Sequence, residues 1–130
     1  MSKNIGNTIY DRSINYYETD QMGIVHHSNY IRYFEEARLD MMEQVGLSYT
    51  AMEEHGLIIP VLSVACEYIK PVLFGEKVQI HTRLVKFDGI KMQFVYEIYC
   101  EGELRTKGES RHCFLDKEMK PVRMKRQFPE

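Results

Sequence analysis

In the stretch Asn29-Tyr30-Ile31-Arg32-Tyr33-Phe34-Glu35-Glu36-Ala37-Arg38-Leu39-Asp40-Met41-Met42-Glu43-Gln44-Val45, the apolar positions Tyr30, Phe34, Ala37, Met41 and Val45 recur at spacings of four, three, four and four. That is the stripe of an amphipathic helix. Arg32, Glu35, Glu36, Arg38, Asp40 and Glu43 occupy much of the remaining surface. Ser28 or Asn29 is placed to cap the start, and Gly46 stands where a left-handed residue ends a helix.

On either side of this helix the pattern is that of strands. Residues 8–17 read as one strand. Beyond Pro60 the period becomes two, with Val78, Ile80, Thr82 and Leu84 on one face, then Met92, Phe94, Tyr96, Ile98 and Cys100. Asp88-Gly89 is a two-residue hairpin signal, since a type I′ turn needs positive φ at both central positions, and Glu101-Gly102 is a weaker one. A last strand covers about residues 104–115, where Gly108 marks a bulge or a close backbone approach. The order is strand, turn, helix, short helical link and four strands, an α+β arrangement. The helix has one obvious place to bury its stripe, the concave face of a twisted antiparallel sheet that wraps around one long central helix.

A chain of 130 residues without repeat, low-complexity tract or Gly/Ser-rich linker is expected to form a single domain over residues 1–130. With 44% hydrophobic and 28% charged residues it has globular composition. A formal net charge of -2 gives no broad basic field, so no nucleic-acid partner is expected. No run approaches the roughly 18 apolar residues of a membrane helix, and residues 1–8 lack the apolar core of a signal peptide, so no membrane association and a cytoplasmic location are expected. Cys66, Cys100 and Cys113 are odd in number and form no CxxC pair, which reads as buried thiols rather than disulfides or a zinc site.

The chemistry concentrates in Tyr16-Tyr17-Glu18-Thr19-Asp20-Gln21-Met22-Gly23-Ile24-Val25-His26-His27-Ser28-Asn29-Tyr30, which joins a strand to the helix. Asp20 lies just ahead of the helix start, where unsatisfied backbone N–H groups and the helix dipole favour negative charge. The same N–H groups can polarise a thioester carbonyl and hold the oxyanion formed on attack. Residues 20–23 equally fit a type I turn with Asp first and Gly fourth, and spacing alone favours that simpler reading.

Residues 16–38 add further marks: the D-x-x-G-I-V core at 20–25, then His27, Asn29-Tyr30 and Phe34-Glu35-Glu36-Ala37-Arg38. In these the chain resembles the 4-hydroxybenzoyl-CoA thioesterase family, and especially its Tol-Pal-associated acyl-CoA thioesterase branch. The likeness extends more weakly over Tyr68-Ile69-Lys70-Pro71, Gly75-Glu76 and Phe114-Leu115-Asp116. The resemblance implies a hotdog fold and a homodimer whose sheets join edge to edge, with active sites at the subunit interface. It implies Asp20 as the catalytic carboxylate and the His27 N–H directed at the thioester carbonyl. The His27 side chain and Tyr16 match active-site residues of that branch, and Gly23, Val25, Asn29 and Tyr30 fall at substrate-contacting motif positions. The chain departs from the branch in reading Tyr17-Glu18-Thr19-Asp20 for Glu-Asp-Thr-Asp and in carrying His26 for an aromatic, which leaves the acyl pocket open.

Other chemistries find less support. No G-x-S-x-G elbow accompanies a serine, and no H-x-x-x-H or H-E-x-x-H spacing accompanies His26-His27, so no metal is expected. His55, His81 and His112 read as surface or satisfied strand histidines, and Met41-Met42 as core filler. Ser63 can face the thioester from a partner subunit, although an ordinary strand serine is the simpler reading. Coenzyme A carries phosphates, for which Lys86 and Lys91 beside the 88–89 hairpin, and Arg123 and Arg126 within a basic tail, are candidates. The expected reaction is hydrolysis of acyl-CoA to acid and CoA-SH, with Asp20 activating water or attacking directly to give a mixed anhydride. No cofactor is required beyond the coenzyme A of the substrate. The competitors are an acyl-carrier-protein thioesterase and a noncatalytic acyl-thioester binding protein, in a homodimer or a dimer of dimers.

Overall fold

A computed structural model describes residues 7–44, 49–54, 56–88 and 90–122. The elements run β1 (Asn7–Ser13), a single 3-10 turn (Tyr16–Glu18), α1 (Ser28–Gln44), α2 (Tyr49–Glu54), β2 (Val61–Tyr68), β3 (Lys77–Phe87), β4 (Lys91–Cys100) and β5 (Glu103–Cys113). The five strands form one antiparallel sheet in the order β1-β3-β4-β5-β2. None of the described helices is long and apolar enough to cross a membrane.

The expected period-two faces are real. Val78, Ile80 and Thr82 of β3 and all five alternate residues of β4, from Met92 to Cys100, are buried, and Leu84 is half-buried. Against them lies α1, 17 residues long, with Tyr30, Tyr33, Phe34, Ala37, Met41 and Met42 buried. Four of the five stripe positions are among these, while Val45 and Gly46 fall outside the described residues. Full burial of one such aromatic or methionine side chain is worth about 1.5–3 kcal/mol, so this face is what fixes the helix to the sheet.

Local chemistry shifts several boundaries. β1 ends at Ser13 rather than near residue 17, because Ile14 N–H turns to Glu76 O at 3.0 Å and the Glu18 carboxylate accepts Asn15 N–H at 2.9 Å, folding the chain into the 3-10 turn. The start of α1 is capped by neither Ser28 nor Asn29. Ser28 is already helical and its N–H donates to His26 Nδ1 at 3.2 Å, while Asn29 N–H donates to His26 O at 2.9 Å. Glu101 and Gly102 have φ of 52° and 78°, the positive pair that a type I′ hairpin demands. The β3–β4 hairpin closes later than the Asp88-Gly89 signal implied: Asp88 N–H pairs across to Lys91 O at 3.3 Å, and Asp88 Oδ1 accepts the Ile90 and Lys91 N–H groups. Of the three cysteines only Cys100 is buried; Cys66, on the edge strand β2, and Cys113, at the end of β5, are half-buried.

Candidate active site

The segment between the 3-10 turn and α1 is a closed hydrogen-bonded loop. Thr19 bridges Val25, Asp20 N–H donates to Ile24 O at 2.8 Å, and Gly23 N–H donates to Asp20 O at 3.0 Å. Gly23 adopts φ 76°, a conformation that favours glycine. Asp20 Oδ1 accepts the Met22 and Ile24 N–H groups at 2.8 and 3.3 Å, so the turn reading of residues 20–23 is realised. Oδ2 accepts no hydrogen bond among the described residues. The turn therefore restrains the carboxylate of this exposed residue through one oxygen and leaves the other unengaged by the described residues.

Seven residues on, the residue that leads into α1 supplies a donor. His26 O accepts Asn29 N–H, so its carbonyl points into the first helical turn. Across a planar trans peptide the following N–H points the opposite way. That N–H belongs to His27, and it has no protein acceptor among the described residues. The helix dipole adds to its positive character. The His27 ring stacks on His26 at 4.3 Å and meets the Tyr68 ring edge-on at 6.5 Å. The Tyr68 hydroxyl approaches His27 O at 3.4 Å, and burial pushes that phenol up to about 12.

These groups line one open recess of about 340 Å³. Asp20, Val25, His27 and Tyr30 line it together with Ile24, His26, Tyr68, Ile69, Lys70 and Pro71. Of the other expected residues, Gly23 shapes the turn, and Asn29 donates Nδ2 to Glu18 O at 2.9 Å instead of facing the recess. Tyr16 stands outside it, 71% exposed, with its ring edge-on to Phe74 at 5.5 Å. Ser63 belongs to a different recess, of about 370 Å³, which also holds Lys86, Lys91 and Arg111. Arg123 and Arg126 lie outside the described residues, as does His55.

Sequence reasoning misses Tyr68 and Lys70 as walls of the recess, although the Tyr68-Ile69-Lys70-Pro71 string belongs to the weaker part of the family likeness. It also missed the support beneath them: Arg105 donates to Pro71 O at 2.8 Å and pairs with Glu76 at 3.0 Å. The Arg105 hydrogen bond holds the Glu76 carboxyl below its ordinary range. Val72 O then accepts Val25 N–H at 2.8 Å, fixing the loop from the far side.

A family model described as the thioesterase-like superfamily matches residues 14–130. A Staphylococcus aureus crystal structure, described as a DHNA-CoA thioesterase, superposes with a TM-score of 0.89 at 38% identity, covering 95% of this chain and 84% of that one. YneP of Bacillus subtilis is 39% identical over 119 residues, 90% of this chain and 86% of its own length. YbgC of Escherichia coli, named an acyl-CoA thioester hydrolase, is 28% identical over 112 residues, 85% of this chain and 81% of its own. The five-stranded antiparallel sheet with α1 packed on one face is accordingly the hotdog thioesterase fold, and the chain belongs to the thioesterase-like superfamily.

Proposed function

We propose that this protein hydrolyses acyl-CoA thioesters to the free acid and CoA-SH, with Asp20 supplying the catalytic carboxylate. The observation that carries the reading is that one recess is lined by two residues, Asp20 with an Oδ2 and His27 with an N–H that have no hydrogen-bond partner among the described residues. A carbonyl polarised by the His27 N–H presents its carbon to the carboxylate side. As the tetrahedral oxyanion forms, that donor strengthens its hydrogen bond, an effect worth about 3–4 kcal/mol for one well-aimed group. Asp20 either draws a proton from water as that water attacks the carbonyl, or adds to the carbonyl itself, so that the tetrahedral adduct expels the CoA thiolate and leaves a mixed anhydride that water then hydrolyses to the free acid. The names of the relatives support the substrate class: YbgC is named an acyl-CoA thioester hydrolase, and YneP carries a provisional acyl-CoA thioesterase name.

The D-x-x-G-I-V motif at residues 20–25 further supports a place in the 4-hydroxybenzoyl-CoA thioesterase branch. Lys86 and Lys91, which share a recess with Arg111, remain the candidates for the phosphates of coenzyme A. A homodimer accords with the exposed side chains of β2, where Val61, Leu62 and Tyr68 are each half exposed or more at a strand that pairs on one side only. The test is a panel of aliphatic and aromatic acyl-CoAs screened for free thiol, with the Asp20→Asn protein in parallel. Thiol release by the parent and its loss in the variant are expected; a fully active variant refutes the role of Asp20.

A further inference from the structure

One part-buried ion cluster ties together β1, the 3-10 turn and α1. The Arg12 guanidinium, on β1, donates to both Glu18 oxygens at 2.7 and 2.6 Å and to both Glu36 oxygens at 2.6 and 3.1 Å. It also lies 4.4 Å over the Tyr33 ring, while Tyr10 donates its hydroxyl to Glu36 at 3.2 Å. The side chains of Arg12 and Glu18 are only 14% and 6% exposed. Planar bidentate pairing of this kind fixes geometry as well as charge. Burial alone would raise the Glu18 carboxyl, but the Arg12 hydrogen bonds and the Asn15 N–H outweigh it and hold it below its ordinary range.

The other end of Glu18 reaches the site. Its carbonyl oxygen accepts two hydrogen bonds at 2.9 Å, one from His26 N–H and one from Asn29 Nδ2. His26 is thereby held on both sides, since its own carbonyl accepts Asn29 N–H. The His26 carbonyl belongs to the peptide plane between His26 and His27, so its hydrogen bond from Asn29 restrains that plane, which sets the direction of the His27 N–H. The buried side chain of Glu18 thus anchors the carbonyl that aims the donor.

We propose that Glu18 and Asn29 are positioning residues for the reaction, acting through the orientation of the His27 N–H, with Arg12 and Glu36 as the anchor. This rests on the thioesterase reading given above. Asn29 is on this account a strut of the loop, not a contact to substrate.

Asn29→Ala removes one of the two hydrogen bonds to Glu18 O without opening the ion cluster, and Glu18→Gln weakens the anchor while keeping its shape. Misplacement of a catalytic group by about 1 Å can cost on the order of 100-fold in rate. For Asn29→Ala we expect a kcat at least about 10-fold lower with KM within about twofold, the split of a group lost in the transition state alone. Amide hydrogen exchange should quicken in the peptide spanning residues 19–27 and stay unchanged over residues 91–113. A kcat within about twofold of the parent, or unchanged exchange in residues 19–27, overturns the proposal. A parent protein that releases no thiol instead overturns the enzymatic reading, and an Asp20→Asn variant that retains turnover overturns the role of Asp20. The exchange measurement on Asn29→Ala still decides the strut.

Discussion

The ring of Phe34 lies flat on that of Tyr96, with centroids 4.4 Å apart and planes 8° apart, and this contact joins α1 to β4. Room for it comes from the neighbouring strand. A Cβ built on Gly108 of β5 would stand 2.3 Å from Phe34 Cε2 and 2.5 Å from its Cζ.

Gly108→Ala therefore forces the ring, and the helix behind it, away from the sheet. Overpacking of this kind typically costs about 1–3 kcal/mol. The expected result is a lower Tm with a cooperative transition retained, read by thermal denaturation. Relief by a second substitution, Phe34→Leu, would locate the clash at this pair.

Substitutions of Asp20 separate its two roles. Asn keeps Oδ1 as an acceptor for the Met22 and Ile24 N–H groups, so Asp20→Asn should leave Tm nearly unchanged while removing a carboxylate worth about 100- to 10,000-fold in rate. Asp20→Ala removes the acceptor too and should lose about 1 kcal/mol or more of stability beyond the Asn variant. Thiol release and denaturant midpoints measured on the same preparations check both statements.

His112 makes stability depend on pH. It is fully buried on β5, its Nε2 lies 2.8 Å from Ser110 Oγ, and that hydroxyl lies 2.6 Å from the Tyr96 hydroxyl. Burial, and behind it the Arg38 charge, lowers the imidazole from 6.5 to about 4. Between those values the unfolded chain binds more protons than the folded one. Stability should be at its full value above about pH 6.5 and fall by about 2–3 kcal/mol on acidification to pH 4.5. Urea midpoints at the two pH values test this, and His112→Gln should flatten the difference. The lowered Glu18 and Glu76 carboxyls act further down, losing their contribution as pH falls below about 4.5.

The edge of β2 should mediate self-association. Val61 and Leu62 are 53% and 55% exposed, and Val64 is 38% exposed, on a strand that among the described residues is bonded only to β5. Light scattering behind size exclusion should give at least twice the 15.4 kDa chain mass. A charge on such an edge opposes strand pairing, so Val64→Lys should shift the mass toward that of one chain. A monomeric parent would exclude the edge-to-edge arrangement.

What the sequence disclosed follows from how local each signal is. The stripe from Tyr30 to Met41 and the alternation from Met92 to Cys100 are periodic, and each repeat reinforces the same face. Gly108 was legible as an interruption, yet only the fold reveals that the cause is the Phe34 ring and not a bulge. Capping of α1 was misassigned because serine and asparagine are the usual caps, whereas here the His26 ring and carbonyl take that place. The Arg12–Glu18–Glu36 cluster left no trace in the sequence: its members are 6 and 18 positions apart and resemble any charged surface residues until β1 and α1 bring them together. Asp20 and His27 are marked by the motif and line one recess, whereas Tyr16 stands outside it and Ser63 lines another.

The loop around Asp20 is braced almost wholly by main-chain groups and by the aspartate itself. Gln21 and Met22 lend it only their backbones, and their side chains are exposed. Substitutions at these two positions can therefore accumulate while the hydrogen bonds that hold Asp20 in its turn stay intact.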